Sequence, residues 1–293
     1  MSDAPAWEWQ ATGTRWRLHH DGGVDAGVAS AVAAAVAADD ARWSRFRADS
    51  ELSAINARAG AWSPATPETF ELLEACTYWH DATGGVFNAL VGEALVRWGY
   101  ARSLAEGPAY AATSPVARPV TARIEIDPAR RAVRIPTGTS IDTGGIGKGW
   151  IARRAATVLV DAGVLGERLL VDAGGDLLAV RGSHRVAIDR GGAGPRWVEL
   201  HEEQGVATSG DASRHWRNGD GVSAHHLIDP VTGAPGDVAQ ATVVADDVVA
   251  ADVWAKVLAL CPHLVEQAPH AALVLQRGGG ERTSATWREA DQD

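Results

Sequence analysis

The sequence predicts an α+β or mixed α/β fold. Two observations carry this. Short runs of alternating or apolar character crowd residues 168–200 and recur near 241–245 and 271–275, while Ala-rich and apolar helical segments stand at 26–42, 66–83 and 249–260. These strands and helices do not alternate in a regular βαβ rhythm.

In chain order, residues 26–42 are rich in Ala, a strong helix former. Arg42 to Asn56 is mixed and polar and reads as loop and short helix. Thr66-Pro67-Glu68 combines an N-cap residue, Pro at the first helical position and an acid in the first turn. That helix runs through Leu72, Leu73 and Tyr78 and stops at Gly84-Gly85. Residues 101–119 read as a loop. Arg123–Ile126 and Ala132–Ile135 alternate around Pro128 and predict a hairpin. A helix follows the glycine run 144–149. Strands are expected at Leu169–Val171, Leu177–Val180, Val186–Ile188, Ala241–Ala245 and Ala271–Leu275, with a helix over Val249–Leu260. No repeat or linker interrupts the 293 residues, which read as one domain.

With 46% hydrophobic and 22% charged residues, the chain is globular. The net charge of −10 argues against a nucleic-acid binder, which needs clustered Lys and Arg. Cys76 and Cys261 are too few for a disulfide framework, as in a reducing compartment. The first residues hold no basic segment followed by an apolar one, and no apolar run approaches the ~20 residues that span a bilayer. The expectation is a cytoplasmic protein without a membrane partner.

Several motifs carry chemistry. Asp142-Thr143-Gly144-Gly145-Ile146-Gly147-Lys148-Gly149 precedes a helix. Its backbone N–H groups can hold an anion at a helix N-terminus, with Lys148 adding charge. The other reading is a tight turn requiring positive φ. It matches neither Walker A nor GxGxxG. Asp172-Ala173-Gly174-Gly175-Asp176 reads as a hairpin turn. Ala207-Thr208-Ser209-Gly210-Asp211 offers two hydroxyls in a turn, for a phosphate, a ring edge or nothing beyond the turn. In His225-His226-Leu227-Ile228-Asp229-Pro230, His226 and Asp229 can act as acid and base, or the His is simply buried and satisfied. Asp252 and Lys256 share a helix face at i and i+4, as a site or a surface ion pair.

Taken in order, these segments, together with Ser50-Glu51-Leu52-Ser53 and Asn56, Thr83-Gly84-Gly85-Val86-Phe87, Trp98-Gly99, Thr232-Gly233 and Pro235, resemble the ApbE family of FAD:protein FMN transferases. The resemblance spans about residues 43–260. It implies a two-lobed fold with FAD between the lobes, whose boundary the sequence does not fix. It also implies transfer of FMN from FAD to a Thr or Ser hydroxyl of an acceptor protein, with release of AMP. Asn56, Gly144, Gly145, Gly147, Lys148, Gly174, Gly175, Asp176, Thr208, Ser209, Gly210 and His226 match segments that contact the flavin nucleotide. His226 or Asp229 is the candidate to take the acceptor's proton.

The resemblance further implies a Mg²⁺ held by the Gly147 carbonyl, an Asp matched by Asp252, and a Thr. Here Lys256 stands at the Thr position, and a protonated ammonium cannot ligate a metal. Either Lys256 supplies the charge itself, which would make it catalytic, or the chain binds FAD without transferring FMN. A third reading is a pyrophosphatase giving FMN and AMP. Asn88 and Asp172 stand where the family has Asp and Asn, and Trp150 replaces a Tyr. Trp98 is expected to be structural, and Trp150 and Trp254 to wall the site. Thr283-Ser284-Ala285-Thr286 resembles the Ser/Thr-x-Ala-Thr core of flavin acceptors, which would make Thr286 a self-modification site.

Overall fold

A computed structural model describes residues 7–103, 115–164, 166–190, 194–210, 214–217 and 219–290. Asp211, from the Thr208-Ser209-Gly210 segment, and 104–114, from the expected loop, lie outside the described residues. The chain divides into two compact units. One comprises Met1–Asp39, Ile146–Ser209 and Ala239–Asp293; the other comprises Asp40–Gly145 and Gly210–Val238. The α-helices among the described residues are α1 (Ala26–Trp43), α2 (Glu51–Asn56), α3 (Pro67–Ala82), α4 (Gly92–Arg97), α5 (Gly147–Asp161) and α6 (Val248–Leu260).

The first unit is built on an eight-stranded antiparallel sheet. Its spatial order follows the chain: Trp7–Ala11, Thr14–His20, Leu169–Ala173, Leu177–Arg181, Gly205–Ser209, Gln240–Ala245, Ala271–Leu275 and Glu281–Thr283. The first hairpin turns at Thr12 and Gly13, both with positive φ, as type I′ turns require. Trp9 stacks on the fully buried Trp16, whose Nε1 donates to Thr12 Oγ1. Leu169–Ala173 is buried at every position, so both sheet faces are covered. α6 lies on Gly205–Ser209 and Gln240–Ala245, and α5 packs beside α6. Ile188, Val198, Leu200 and Trp287 join Leu170, Ala179, Val206 and Leu273 in a second core cluster.

Close approach explains two glycines. A Cβ at Gly205 would stand 2.4 Å from Val248 Cα, and one at Gly149 would stand 2.8 Å from the Val248 carbonyl oxygen and 3.1 Å from Val249 Cα. Both positions admit α6 only because no Cβ is there. All of α6 except Trp254 and Leu260 is buried. Its two charged residues therefore have to be compensated inside the protein.

The second unit carries α2, α3, α4, a three-stranded antiparallel sheet and two short antiparallel ribbons. α3 has the expected ends. Thr66 Oγ1 caps Thr69 N–H, Pro67 opens the helix, and Gly84 and Gly85 take positive φ beyond it. The hairpin around Pro128 is Glu125–Asp127 with Ala132–Arg134. Trp98, Tyr100 and Trp216 form an apolar core with Leu95 and Ile228. Trp98 Nε1 donates to the Gly233 carbonyl and Trp216 Nε1 to the Trp98 carbonyl, so Trp98 is structural.

Candidate functional site

The predicted residues fall into both units. Gly147, Lys148, Gly174, Gly175, Asp176, Thr208, Ser209, Asp252 and Lys256 belong to the first; Asn56, Gly144, Gly145, Gly210, His226 and Asp229 belong to the second.

In the first unit a charged cluster assembles at the start of α5. Contrary to the sequence expectation, the helix does not follow the glycine run but begins inside it, at Gly147. Neither Gly144 nor Gly149 has positive φ, so at these two the tight-turn reading fails. What Gly149 supplies is room for α6. Its N–H donates to Asp252 Oδ2 at 3.0 Å, so a carboxylate from α6 holds the N-terminal turn of α5. Asp252 is fully buried, and its Oδ1 accepts from Lys256 Nζ, which also donates to the Asp252 carbonyl at 3.2 Å. Lys256 is 8% exposed, so this pair is not the surface contact that the spacing alone allowed.

The Gly174-Gly175 turn completes the cluster. Both glycines have positive φ, and a Cβ on Gly174 would meet Thr14. Asp172 accepts from Gly175 N–H at 2.9 Å and from Arg17 Nη1 at 2.8 Å, which accounts for Asp rather than Asn. The turn brings the buried Asp176 to Lys148 Nζ at 2.5 Å. The hairpin-turn reading therefore holds, and the turn also positions an acid. Burial pushes Asp176 up to about 6, aided by repulsion from Asp252 and opposed by Lys148 and Lys256. Burial also acts to raise Asp252, but Lys256, Lys148 and Gly149 N–H hold it below the ordinary carboxylate range.

Thr208 and Ser209 end the strand Gly205–Ser209 instead of forming a turn. Thr208 stands directly opposite Thr242, and their hydroxyls are 2.8 Å apart. Trp150 is buried with Arg153 over its ring, and its Nε1 has no hydrogen-bond partner among the described residues. Trp254 makes an edge contact with His270.

In the second unit, both ends of the Asn56 amide grip Ile141. Nδ2 donates to its carbonyl at 3.0 Å, and Oδ1 accepts its N–H at 2.7 Å. Asn56 thus fixes the loop that follows. In that loop Gly144 N–H donates to Asp142 Oδ1 at 2.7 Å, so this N–H already serves a carboxylate. The sequence reading missed Arg45. Its Nε donates to Asp142 Oδ2, its guanidinium lies over Phe46 and Tyr100, and its buried Nη2 has no hydrogen-bond partner among the described residues. Its only sequence signal is the Arg-aromatic pair Arg45-Phe46 in a segment read as loop and short helix.

Asn88 Nδ2 donates to the Val120 and Ala122 carbonyls, and its Oδ1 accepts Leu90 N–H. Asp could not donate to those carbonyls, which explains Asn here. His225, buried, contacts the Gly236 carbonyl through Nε2 and accepts Leu227 N–H at Nδ1. His226 Nδ1 lies 3.4 Å from the Arg214 carbonyl. Asp229 Oδ1 accepts Val231 N–H at 2.8 Å in the turn after Pro230.

The ApbE family model matches residues 12–272. The chain belongs to the ApbE family. It is 30% identical over 213 residues to an FAD:protein FMN transferase of Treponema pallidum, covering 64% of this chain and 58% of that protein. Against one from Vibrio cholerae it is 29% identical over 220 residues, 66% of this chain and 60% of the relative. The aligned stretch is thus less than two thirds of these relatives' length. Two solved structures share the fold. The ApbE protein of Thermotoga maritima aligns with a TM-score of 0.81 at 23% identity over 96% of each chain. The apo flavinyl transferase ApbE of Pseudomonas stutzeri gives 0.77 at 22%, over 95% of this chain and 94% of that one.

The family implies a Mg²⁺, and the donor set here does not fit one. Of the three implied ligands, Lys256 offers donors where an acceptor is needed, and it engages one of the two Asp252 carboxylate oxygens. Among the described residues no group of three or more His, Cys, Asp or Glu side chains is arranged to hold a metal. No helix among them is long and apolar enough to cross a membrane.

Proposed function

We propose that this chain transfers FMN from FAD to a Ser or Thr hydroxyl of an acceptor protein, with AMP as the leaving group. Its two units are read as the lobes of a single flavin-transferase domain. The reading rests on family membership, on the names of its relatives and on one feature of the site: the buried Lys148–Asp176 and Lys256–Asp252 pairs at the start of α5. Transfer between a hydroxyl and a diphosphate is catalysed mainly by positioning and by positive charge on the phosphoryl oxygens. Lys148 and Lys256 supply that charge. The acceptor oxygen bonds to the FMN phosphorus as the diphosphate P–O bond breaks, and the electron pair leaves with AMP. The hydroxyl proton passes to His226 or Asp229. Gly174 and Gly175 hold Asp176, while Asn56, Gly144 and Gly145 shape the loop before α5. Gly147, Thr208, Ser209 and Gly210 are assigned to nucleotide contact. The acceptor carries a Ser/Thr-x-Ala-Thr-like segment, and the low cysteine count supports a cytoplasmic setting for the reaction.

Product analysis tests the reading. The chain is incubated with FAD and a carrier protein bearing a Ser/Thr-x-Ala-Thr segment. Covalent FMN on the carrier with stoichiometric AMP is expected. Unchanged FAD would indicate a flavin-binding protein, and free FMN plus AMP a pyrophosphatase. The exposed Thr286 of the chain itself is read in the same spectrum.

A further inference from the structure

We propose that Lys256 is a built-in replacement for a divalent cation, so that this chain engages its diphosphate substrate without metal. The inference rests on the FAD reading above and assigns the chemistry of its phosphate site. Three observations carry it.

The first is that both carboxylate oxygens of Asp252 are already engaged by protein donors. It is fully buried, with Oδ1 against Lys256 Nζ and Oδ2 on Gly149 N–H. Mg²⁺ demands near-octahedral oxygen ligands at about 2.1 Å, which here would mean displacing an ammonium from a buried carboxylate.

The second is that the charges already balance. Lys148 pairs with Asp176 and Lys256 with Asp252, and each aspartate also feels the other lysine. In the flavin-free chain, with no diphosphate present, a divalent ion would bring two uncompensated positive charges into a region where Asp176 and Asp252 are buried.

The third is that the ammonium is held and oriented. Two of its three N–H groups are accounted for within α6, by Asp252 Oδ1 and the Asp252 carbonyl. The third is the donor a phosphoryl oxygen would meet. The pinning depends on Gly149, whose missing Cβ would otherwise stand 3.0 Å from Asp252 Cβ. The device is thus shared by α5 and α6 and does not rest on Lys256 alone.

The test reads binding, not turnover. Mg²⁺ is titrated calorimetrically into the flavin-free chain, and FAD affinity is measured by flavin fluorescence in EDTA and in Mg²⁺. For the wild type we expect no saturable Mg²⁺ heat and FAD affinities equal within about twofold. For Lys256→Thr we expect FAD affinity in EDTA to fall by about tenfold or more, because a charge-assisted donor is lost, with partial recovery in Mg²⁺. A saturable Mg²⁺ isotherm on the wild type, or a wild-type FAD affinity that collapses in EDTA, overturns the proposal. The calorimetric titration decides even if Lys256→Thr fails to fold. A chain that binds neither Mg²⁺ nor FAD would remove the FAD reading and this proposal with it, whereas a saturable Mg²⁺ isotherm overturns the proposal alone.

Discussion

Lys256→Met removes the α6 ammonium while keeping most of its stem, and so tests whether the Asp252–Lys256 pair is closed to water. Asp252 is fully buried and Lys256 is 8% exposed. Deleting one partner of such a pair costs about 3–5 kcal/mol, because a buried charge is left behind. Asp252 keeps the Gly149 hydrogen bond and the field of Lys148, which places the expectation at the low end, about 3 kcal/mol. Asp252→Leu with Lys256→Met removes both charges and leaves Gly149 N–H unpaired, for a net cost of about 1 kcal/mol. The double variant should therefore be more stable than Lys256→Met. Urea unfolding followed by tryptophan fluorescence measures all three chains. A cost for Lys256→Met below about 1 kcal/mol, the range of exposed ion pairs, would refute the buried arrangement.

Three further outcomes follow from individual contacts. Gly149→Ala puts a Cβ 2.8 Å from the Val248 carbonyl oxygen; overpacking of about 1–3 kcal/mol, partly offset by about 1 kcal/mol of helix propensity, gives a net loss in urea unfolding, and a stabilised variant would contradict the α5–α6 contact. Asn88→Asp turns a donor toward the Val120 and Ala122 carbonyls into an acceptor, and should cost about 2–3 kcal/mol at neutral pH, less in acid where the carboxyl is protonated; a loss independent of pH would be wrong for this geometry. Asp176 sits at about 6 against an ordinary 3.8, so the folded chain holds this proton more tightly than the unfolded one. Its contribution to stability is fully present below 3.8 and is lost as pH rises through about 6. The stability of the wild type relative to Asp176→Asn should fall across that window, and a flat difference would rule the shift out.

Local signals made much of the fold legible. Thr66-Pro67 and Gly84-Gly85 mark the ends of α3 because caps act over a few residues. The run Val249–Leu260 marks α6 because nearly all of it is buried. The first hairpin, absent from the predicted elements, is nevertheless written in the alternation of Trp7, Trp9, Trp16 and Leu18 around Thr12-Gly13. The start of α5 was not legible. Gly149 answers to the approach of α6, about 100 residues further on, and to Asp252, which takes its N–H. The chemistry at Lys256 was visible as a substitution, but its burial and its grip on Asp252 are tertiary facts. Arg45 was hidden for the same reason, since its partner Asp142 is distant in sequence.

The central claim is FMN transfer by a site whose cations are its own lysines. The most direct measurement is the intact mass of a carrier protein bearing a Ser/Thr-x-Ala-Thr segment after incubation with this chain and FAD in EDTA. The account predicts a gain of one FMN with an equal yield of AMP. An unmodified carrier in EDTA that becomes flavinylated only when Mg²⁺ is restored would contradict it.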